Sequence, residues 1–154
     1  LDMNLPGRFK LEYTDETGKK KEPVVLHRAI LGSTERFLGI LIEHFAGAFP
    51  LWLSPEQVRI LPVSDKFVPY ANDVKSRLQA SIPSLRVSVS GETETLGRKI
   101  RDGETMKVPY LLIIGEKEQG AGTVSPRKRG SGDLGAMSQE HFLSLLEKEL
   151  QEGK

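Results

Sequence analysis

The chain contains no cysteine. That removes disulfide frameworks and thiolate metal sites from within it. No apolar run approaches the roughly 20 residues needed to span a membrane. Asp2 and Asn4 interrupt any early apolar stretch, so there is no signal-peptide pattern. A marked excess of either charge is also missing. Lys and Arg total 22 against 21 Asp and Glu, a net +1, so global charge does not announce a nucleic acid. No Ser-His-Asp or Cys-His arrangement and no Walker-type glycine loop is present. No internal repeat is visible. What remains is a 154-residue chain, 38% hydrophobic and 28% charged, with the composition of a soluble globular protein. It has room for one domain, or one small domain plus a piece. A cytoplasmic location fits.

Residues 23–45, PVVLHRAILGSTERFLGILIEHF, read as a strand, a tight turn and a helix. Val24, Val25 and Leu26 follow Pro23, which is placed where a strand can begin. Gly32-Ser33 breaks the run, and Ser33 or Thr34 can cap the helix. Phe37, Leu38, Ile40, Leu41 and Phe45 cover more than one side, which predicts a mostly buried helix. Arg36 lies in the first turn, where the helix dipole disfavours a cation. Either it pairs at the surface with Glu35 or Glu43, or something anionic comes to it. His27 has two readings as well, a hydrogen-bonded core histidine or a metal ligand.

Before this segment, residues 1–13 look extended, with Phe9, Leu11 and Tyr13 alternating after a Pro6-Gly7 kink. Residues 14–22 form a polar hairpin tip, with Asp15 and Gly18 as turn residues. This unit is too small to bury a sheet alone, so residues 1 to about 46 are expected to be the tail of a larger domain. Residues 47–55 form a linker in which Trp52 either fills a core or packs across a joint.

From 56 to 150, strand and helix patterns alternate. Residues 58–63 predict an apolar strand. Ser64-Asp65 then caps a helix carrying Phe67, Tyr70, Ala71, Val74 and Leu78. Pro69 is placed in its first turn. Leu85, Val87 and Val89 alternate as a strand. Residues 95–102 predict a helix with Leu96 and Ile100 inward and Arg98, Lys99 and Arg101 outward. Residues 109–114 are continuous enough for a strand buried on both faces. Gly115 turns into Glu116-Lys117-Glu118. Residues 123–125 predict an edge strand stopped by Pro126, and 127–135 a basic glycine-rich loop. Ser138 caps a last helix with Phe142, Leu145, Leu146 and Leu150 as its stripe. The whole is α/β, a mixed sheet with helices on its faces.

Residues 98–129 hold eight cations against four anions, a local +4. That suits an RNA backbone footprint, or a solvated helix face and loop. Glu118 suits base reading better than backbone binding, since a carboxylate repels phosphate and accepts from base N–H groups.

HRAILGSTERF resembles motif 3 of class II aminoacyl-tRNA synthetases, in the version of the threonyl-tRNA synthetase family. LDMNLPGRFKLEY resembles the strand before it, and GAFPLWLSPEQVRILPVSDKFVPYA the crossing into the anticodon-binding domain. LGRKIRDGETMKVPYLLIIGEKE and RKRGSGDLGAMS resemble that domain's second half. The resemblance covers nearly all the chain. It implies residues 1–48 as the last strand–helix unit of an antiparallel-sheet catalytic domain, and 49–154 as the anticodon-binding domain. It implies a ligase that activates threonine with ATP and magnesium and charges threonine tRNA, as a homodimer when full length. Motifs 1 and 2 would lie upstream, so this portion alone is expected to be inactive. Arg36 would contact ATP, and Ser33 would line the ATP or substrate pocket. His27 would be one zinc ligand, its cysteine and histidine partners lying upstream. Glu118 and Arg127 would read anticodon bases. Thr93 stands where many members carry a third reader, an asparagine; it lacks the amide's paired donor and acceptor. The alternatives are a non-catalytic RNA-binding module and a different class II synthetase.

Overall fold

Pro6 and Gly7 do not kink a strand. In the computed structural model, which describes residues 1–91 and 94–153, they lie in a short helix, α1 (Leu5–Phe9). Asp2 explains the difference. Its Oδ1 accepts from the backbone N–H groups of Asn4 at 2.8 Å and Leu5 at 2.9 Å. Two donors of the first turn are thereby satisfied, and proline is tolerated there. Phe9, Leu11 and Tyr13 are all exposed, so the alternation does not mark a buried face. The expected hairpin does form, between β1 (Tyr13–Thr14) and β2 (Lys20–Lys21). Asp15 Oδ1 accepts from the N–H groups of Thr17 at 2.9 Å and Lys19 at 3.0 Å, and Gly18 takes φ 77° at the tip.

The strand expected after Pro23 reduces to one isolated bridge between Val25 and Asp2. Its residues favour a pleated surface only where neighbouring strands supply one, and none does among the described residues. Helix α2 (Thr34–Phe45) starts as expected, with Ser33 Oγ accepting from Arg36 N–H at 3.2 Å. The expected burial is absent. No residue of α2 is buried, and Ile40 is 62% exposed. A helix apolar on more than one side needs more than one covering surface, and the described residues do not supply it.

The described chain divides into two compact units, Leu1–Ile40 and Leu41–Lys154. The second is built on a sheet. Its elements in chain order are β3 (Val58–Pro62), α3 (Val68–Ser81), β4 (Val87–Val89), α4 (Leu96–Thr105), β5 (Tyr110–Ile114), α5 (Glu116–Ala121), β6 (Thr123–Lys128), β7 (Gly132–Asp133), β8 (Met137–Ser138) and α6 (Gln139–Glu152). Strand order is β4-β3-β5-β6-β7, with β8 also pairing β6. The first three are parallel and the rest antiparallel, so the sheet is mixed as expected.

One face buries Val58, Ile60, Tyr110, Leu112 and Ile114 against Ala71, Val74 and Leu78 of α3 and Phe142 and Leu146 of α6. The other buries Leu61 and Leu111 beneath Leu96 and Ile100 of α4. The crossover β3–α3–β4 steps one way along the sheet and β4–α4–β5 steps back. Right-handed crossovers therefore place α3 and α4 on opposite faces.

Five further expectations change. Ser64 makes no side-chain capping hydrogen bond; a single 3-10 turn (Asp65–Phe67) follows it, and α3 starts only at Val68 without a side-chain cap. Lys99 is buried, not outward, at 6% exposure; its Nζ donates to the Pro62 carbonyl at 3.1 Å, at the end of β3. Residues after Gly115 form the helix α5 rather than only a turn. Strand β6 passes through Pro126 to Lys128 and lies inside the sheet. Its outer partner changes there, from β8 beside Val124 to β7 beside Arg127, so the missing proline N–H falls between two ladders. The expected basic loop accordingly begins inside β6. Trp52 is 49% exposed and fills no core.

Candidate nucleic-acid interface

In the first unit, His27, Ser33 and Arg36 are all exposed. Ser33 uses its hydroxyl as the helix cap, on the backbone of Arg36. Arg36 forms no ion pair with Glu35 or Glu43 among the described residues, so the surface pairing open in the sequence is not made. A zinc ion needs three or four protein ligands. Among the described residues no group of three His, Cys, Asp or Glu side chains could hold a metal. His27 by itself does not fit a zinc site within this chain.

In the second unit, Glu118 and Arg127 meet the same face of the sheet. Ser125 and Arg127 are two residues apart on β6, so their side chains point the same way, about 7 Å apart. They pair with Ile113 and Leu111 of β5. Ser125 Oγ donates to Glu118 Oε1 at 2.7 Å, and the Gly115 N–H donates to Glu118 Oε2 at 2.9 Å. Partial burial pushes the Glu118 carboxyl up. Hydrogen bonds from Ser125 and from the backbone N–H groups of Glu118 and Gly115 outweigh this and hold it below its ordinary 4.5. The result is a carboxylate fixed in place at the end of β5, charged at neutral pH. Thr93 lies outside the described residues.

Few of the eight cations face outward unattached. Lys99 is buried on a carbonyl. Lys128 pairs with Glu149 at 2.7 Å and Arg98 with Glu94 at 2.9 Å. The Arg129 guanidinium donates to the carbonyls of Lys107, Ala48 and Phe49. Arg101 and Lys117 are exposed, and Arg127 is partly so. The local +4 is thus a property of the sequence, and the cationic surface offered to a ligand is smaller.

Beside α4 on the β4 side, a cavity of about 320 Å³ contains Glu56, Arg59, Ser88, Lys99 and Asp102. Its charges are met internally. The Arg59 guanidinium donates to Glu56 and to Asp102, at 2.6 Å each. Partial burial would raise the Glu56 carboxyl, but the hydrogen bonds from Arg59 and Ser88 hold it low.

Residues 57–149 match the model of the anticodon binding domain family. The chain belongs to that family. Its likeness to curated proteins is broader than the domain. It is 53% identical over 97% of its length to a threonine–tRNA ligase of Gloeobacter violaceus, and 51% identical over 98% to one of Bacteroides thetaiotaomicron. It spans about a quarter of the length of these relatives, 24% and 23%. Among solved structures it resembles the RNA binding domain of threonyl-tRNA synthetase from Cryptosporidium parvum Iowa II. The TM-score there is 0.80 at 34% identity, covering 96% of this chain and 37% of that one. The mixed sheet belongs to this anticodon-binding fold.

Two side chains placed beside Glu118 and Arg127 escaped sequence reading. Ser125 was legible only with Arg127 on one continuous strand, and Pro126 argued against that strand. Glu104, whose carboxylate stands 3.6 Å from Arg127 Nη2, is far from it in sequence and carries no local signal.

Proposed function

We propose that this chain is the C-terminal portion of a threonine–tRNA ligase, working in the cytoplasm, and that its residues 49–154 read the anticodon of threonine tRNA. The observation that carries this is 53% identity across 97% of the chain, well beyond the matched domain and including the Arg36 segment. The fixed Glu118 carboxylate and the nearby Arg127 guanidinium suit the reading chemically. One accepts from base N–H groups and the other donates to base or phosphate acceptors.

In the longer protein, residues 1–48 would close the catalytic domain. Arg36 would give a permanently charged, bidentate contact to ATP phosphate. Ser33 would hold the helix turn that presents it. His27 would contribute one zinc ligand, the others coming from outside this chain. Adenylate formation needs positioning and charge stabilisation more than proton transfer, and a first-turn arginine supplies both. The full-length enzyme would act as a homodimer on threonine, ATP with magnesium, and tRNA.

The test is binding of this chain to threonine tRNA anticodon stem-loops by fluorescence anisotropy at fixed salt. Native loops are compared with loops changed at the second and third anticodon bases. Discrimination of roughly 1–3 kcal/mol per base, lost in Glu118→Gln and Arg127→Ala, is the expected result. Equal, salt-sensitive binding to every loop would leave only a basic surface. Aminoacylation by the purified chain is expected to be undetectable; measurable charging would overturn that part of the reading.

A further inference from the structure

Residues 47–55 read as a linker in the sequence, yet the fold pins them. Helices α2 and α4 both end in a left-handed turn, and in neither is the residue there a glycine. Ala46 has φ 48° and Lys107 φ 57°, two of the three non-glycine residues at positive φ among the described ones. The Gly47 N–H donates to the Ile42 carbonyl and the Val108 N–H to the Gly103 carbonyl, each at 3.0 Å, closing the two helices. Such backbone persists only where its surroundings hold it. Here two cations do so. Lys107 Nζ donates to the Ala46 carbonyl. The Arg129 guanidinium donates to the carbonyls of Lys107, of Ala48 at 3.2 Å and of Phe49 at 2.6 Å. Both charges therefore lie at helix C-termini, where the helix dipole favours a cation. Further along, Ser54 Oγ donates to the Phe49 carbonyl at 3.1 Å and Gln57 Nε2 to the Leu51 carbonyl at 2.8 Å, and Leu51 is fully buried. The chain is thus held from the last turn of α2 to the start of β3. Arg129 itself follows the end of β6, and its N–H donates to the Pro109 carbonyl at 2.9 Å.

We propose that Arg129 is a positioning residue for the transfer of threonine to tRNA. It locks the segment leaving α2 to the end of β6, so that the sheet keeps one bearing to the last turn of that helix. The inference rests on the ligase function proposed above. A tRNA gripped at its anticodon must present its other end, the 3′ end, to the activated amino acid. A free linker would let the reading sheet swing, and that orientation would be lost at each turnover. A locked joint supplies it in advance. Activation of threonine with ATP involves no tRNA, so it does not need the lock. A lysine at position 129 would keep the charge, but a single ammonium does not span carbonyls of two segments as the planar guanidinium fork does.

The experiment uses the full-length ligase carrying this chain, as wild type, Arg129→Lys and Lys107→Gly, each checked for folding by circular dichroism. Threonine-dependent ATP–pyrophosphate exchange reads activation. Charging of threonine tRNA gives kcat and KM, and anisotropy gives the affinity for an anticodon stem-loop. Arg129→Lys is expected to lower kcat for charging by roughly tenfold or more. Exchange, KM for tRNA and stem-loop affinity should stay within about twofold of wild type. Lys107→Gly removes the tie to Ala46 while glycine suits the left-handed turn; it should show the same pattern more weakly, and it decides the matter if Arg129→Lys misfolds. A raised KM and weakened stem-loop binding at unchanged kcat would overturn the proposal, making Arg129 an RNA contact. An equal fall in exchange and charging would overturn it as well, since general damage lowers both. So would an unchanged kcat in a folded Arg129→Lys enzyme. A wild-type enzyme that charges no threonine tRNA would sink the ligase function itself, and this inference with it.

Discussion

Glu118 has both carboxylate oxygens engaged, one by Ser125 and one by the Gly115 N–H. Its folded carboxyl lies below the ordinary 4.5. A proton is therefore bound more tightly in the unfolded chain than in the folded one. Stability from this group is fully present above about pH 4.5 and is lost as pH falls through the lower folded value. Glu118→Gln should flatten the acid limb of a denaturation series below pH 4.5, while changing little at pH 7 beyond the lost hydrogen bonds. A wild-type slope in the variant would show that the group is not held as described. Gly103 makes a steric case. A Cβ there would stand 2.5 Å from Leu111 Cδ2, inside the contact between α4 and β5. Gly103→Ala is expected to destabilise by about 1–3 kcal/mol through overpacking, despite alanine's better helix propensity. Urea denaturation decides it, and a more stable variant would mean that α4 can shift.

At the scale of elements, the caps at Ser33 and Ser138 behaved as local chemistry. Ser138 Oγ accepts from the His141 N–H at 3.2 Å and opens α6. Phe142 and Leu146 of that helix are fully buried. Ser138→Ala should cost about 1 kcal/mol and lower the thermal midpoint by a few degrees, with no change in m-value. Strand β6 shows where element reading breaks down. Proline argues against a central strand, yet Pro126 is accommodated because β6 changes outer partner at that point. Lys99 is the helical counterpart. Hydropathy placed it outside, but its long stem reaches a carbonyl left at the end of β3. Neither outcome can be read from a window of neighbouring residues.

For the whole molecule, burial is unevenly shared. The large apolar side chains that are fully buried all lie in the second unit, on both faces of β3 and β5. In the first, Leu1, Met3, Phe9, Leu26, Ile30 and Ile40 are exposed. Opening free energies follow buried contacts. Hydrogen exchange should therefore show the amides of β3 and β5 protected to the global limit and those of residues 1–33 exchanging orders of magnitude faster. Equal protection of both would contradict this division.

The sequence alone determined the α/β alternation, the buried strand at 109–114, the α3 and α6 stripes and the caps at Ser33 and Ser138, though not the one expected at Ser64. Each follows from periodicity or from a hydrogen bond a few residues long. The resemblance carried by HRAILGSTERF pointed to the threonyl-tRNA synthetases, and that of residues 47–71, 96–118 and 127–138 to the anticodon-binding domain. Tertiary structure decided which charges remain available. Lys99, Lys128 and Arg129 are withdrawn by carbonyls and carboxylates distant in sequence. It also set Glu104 beside Arg127, through strand register and helix crossing. A side chain's partner depends on where the chain returns, and no short stretch of sequence contains that information.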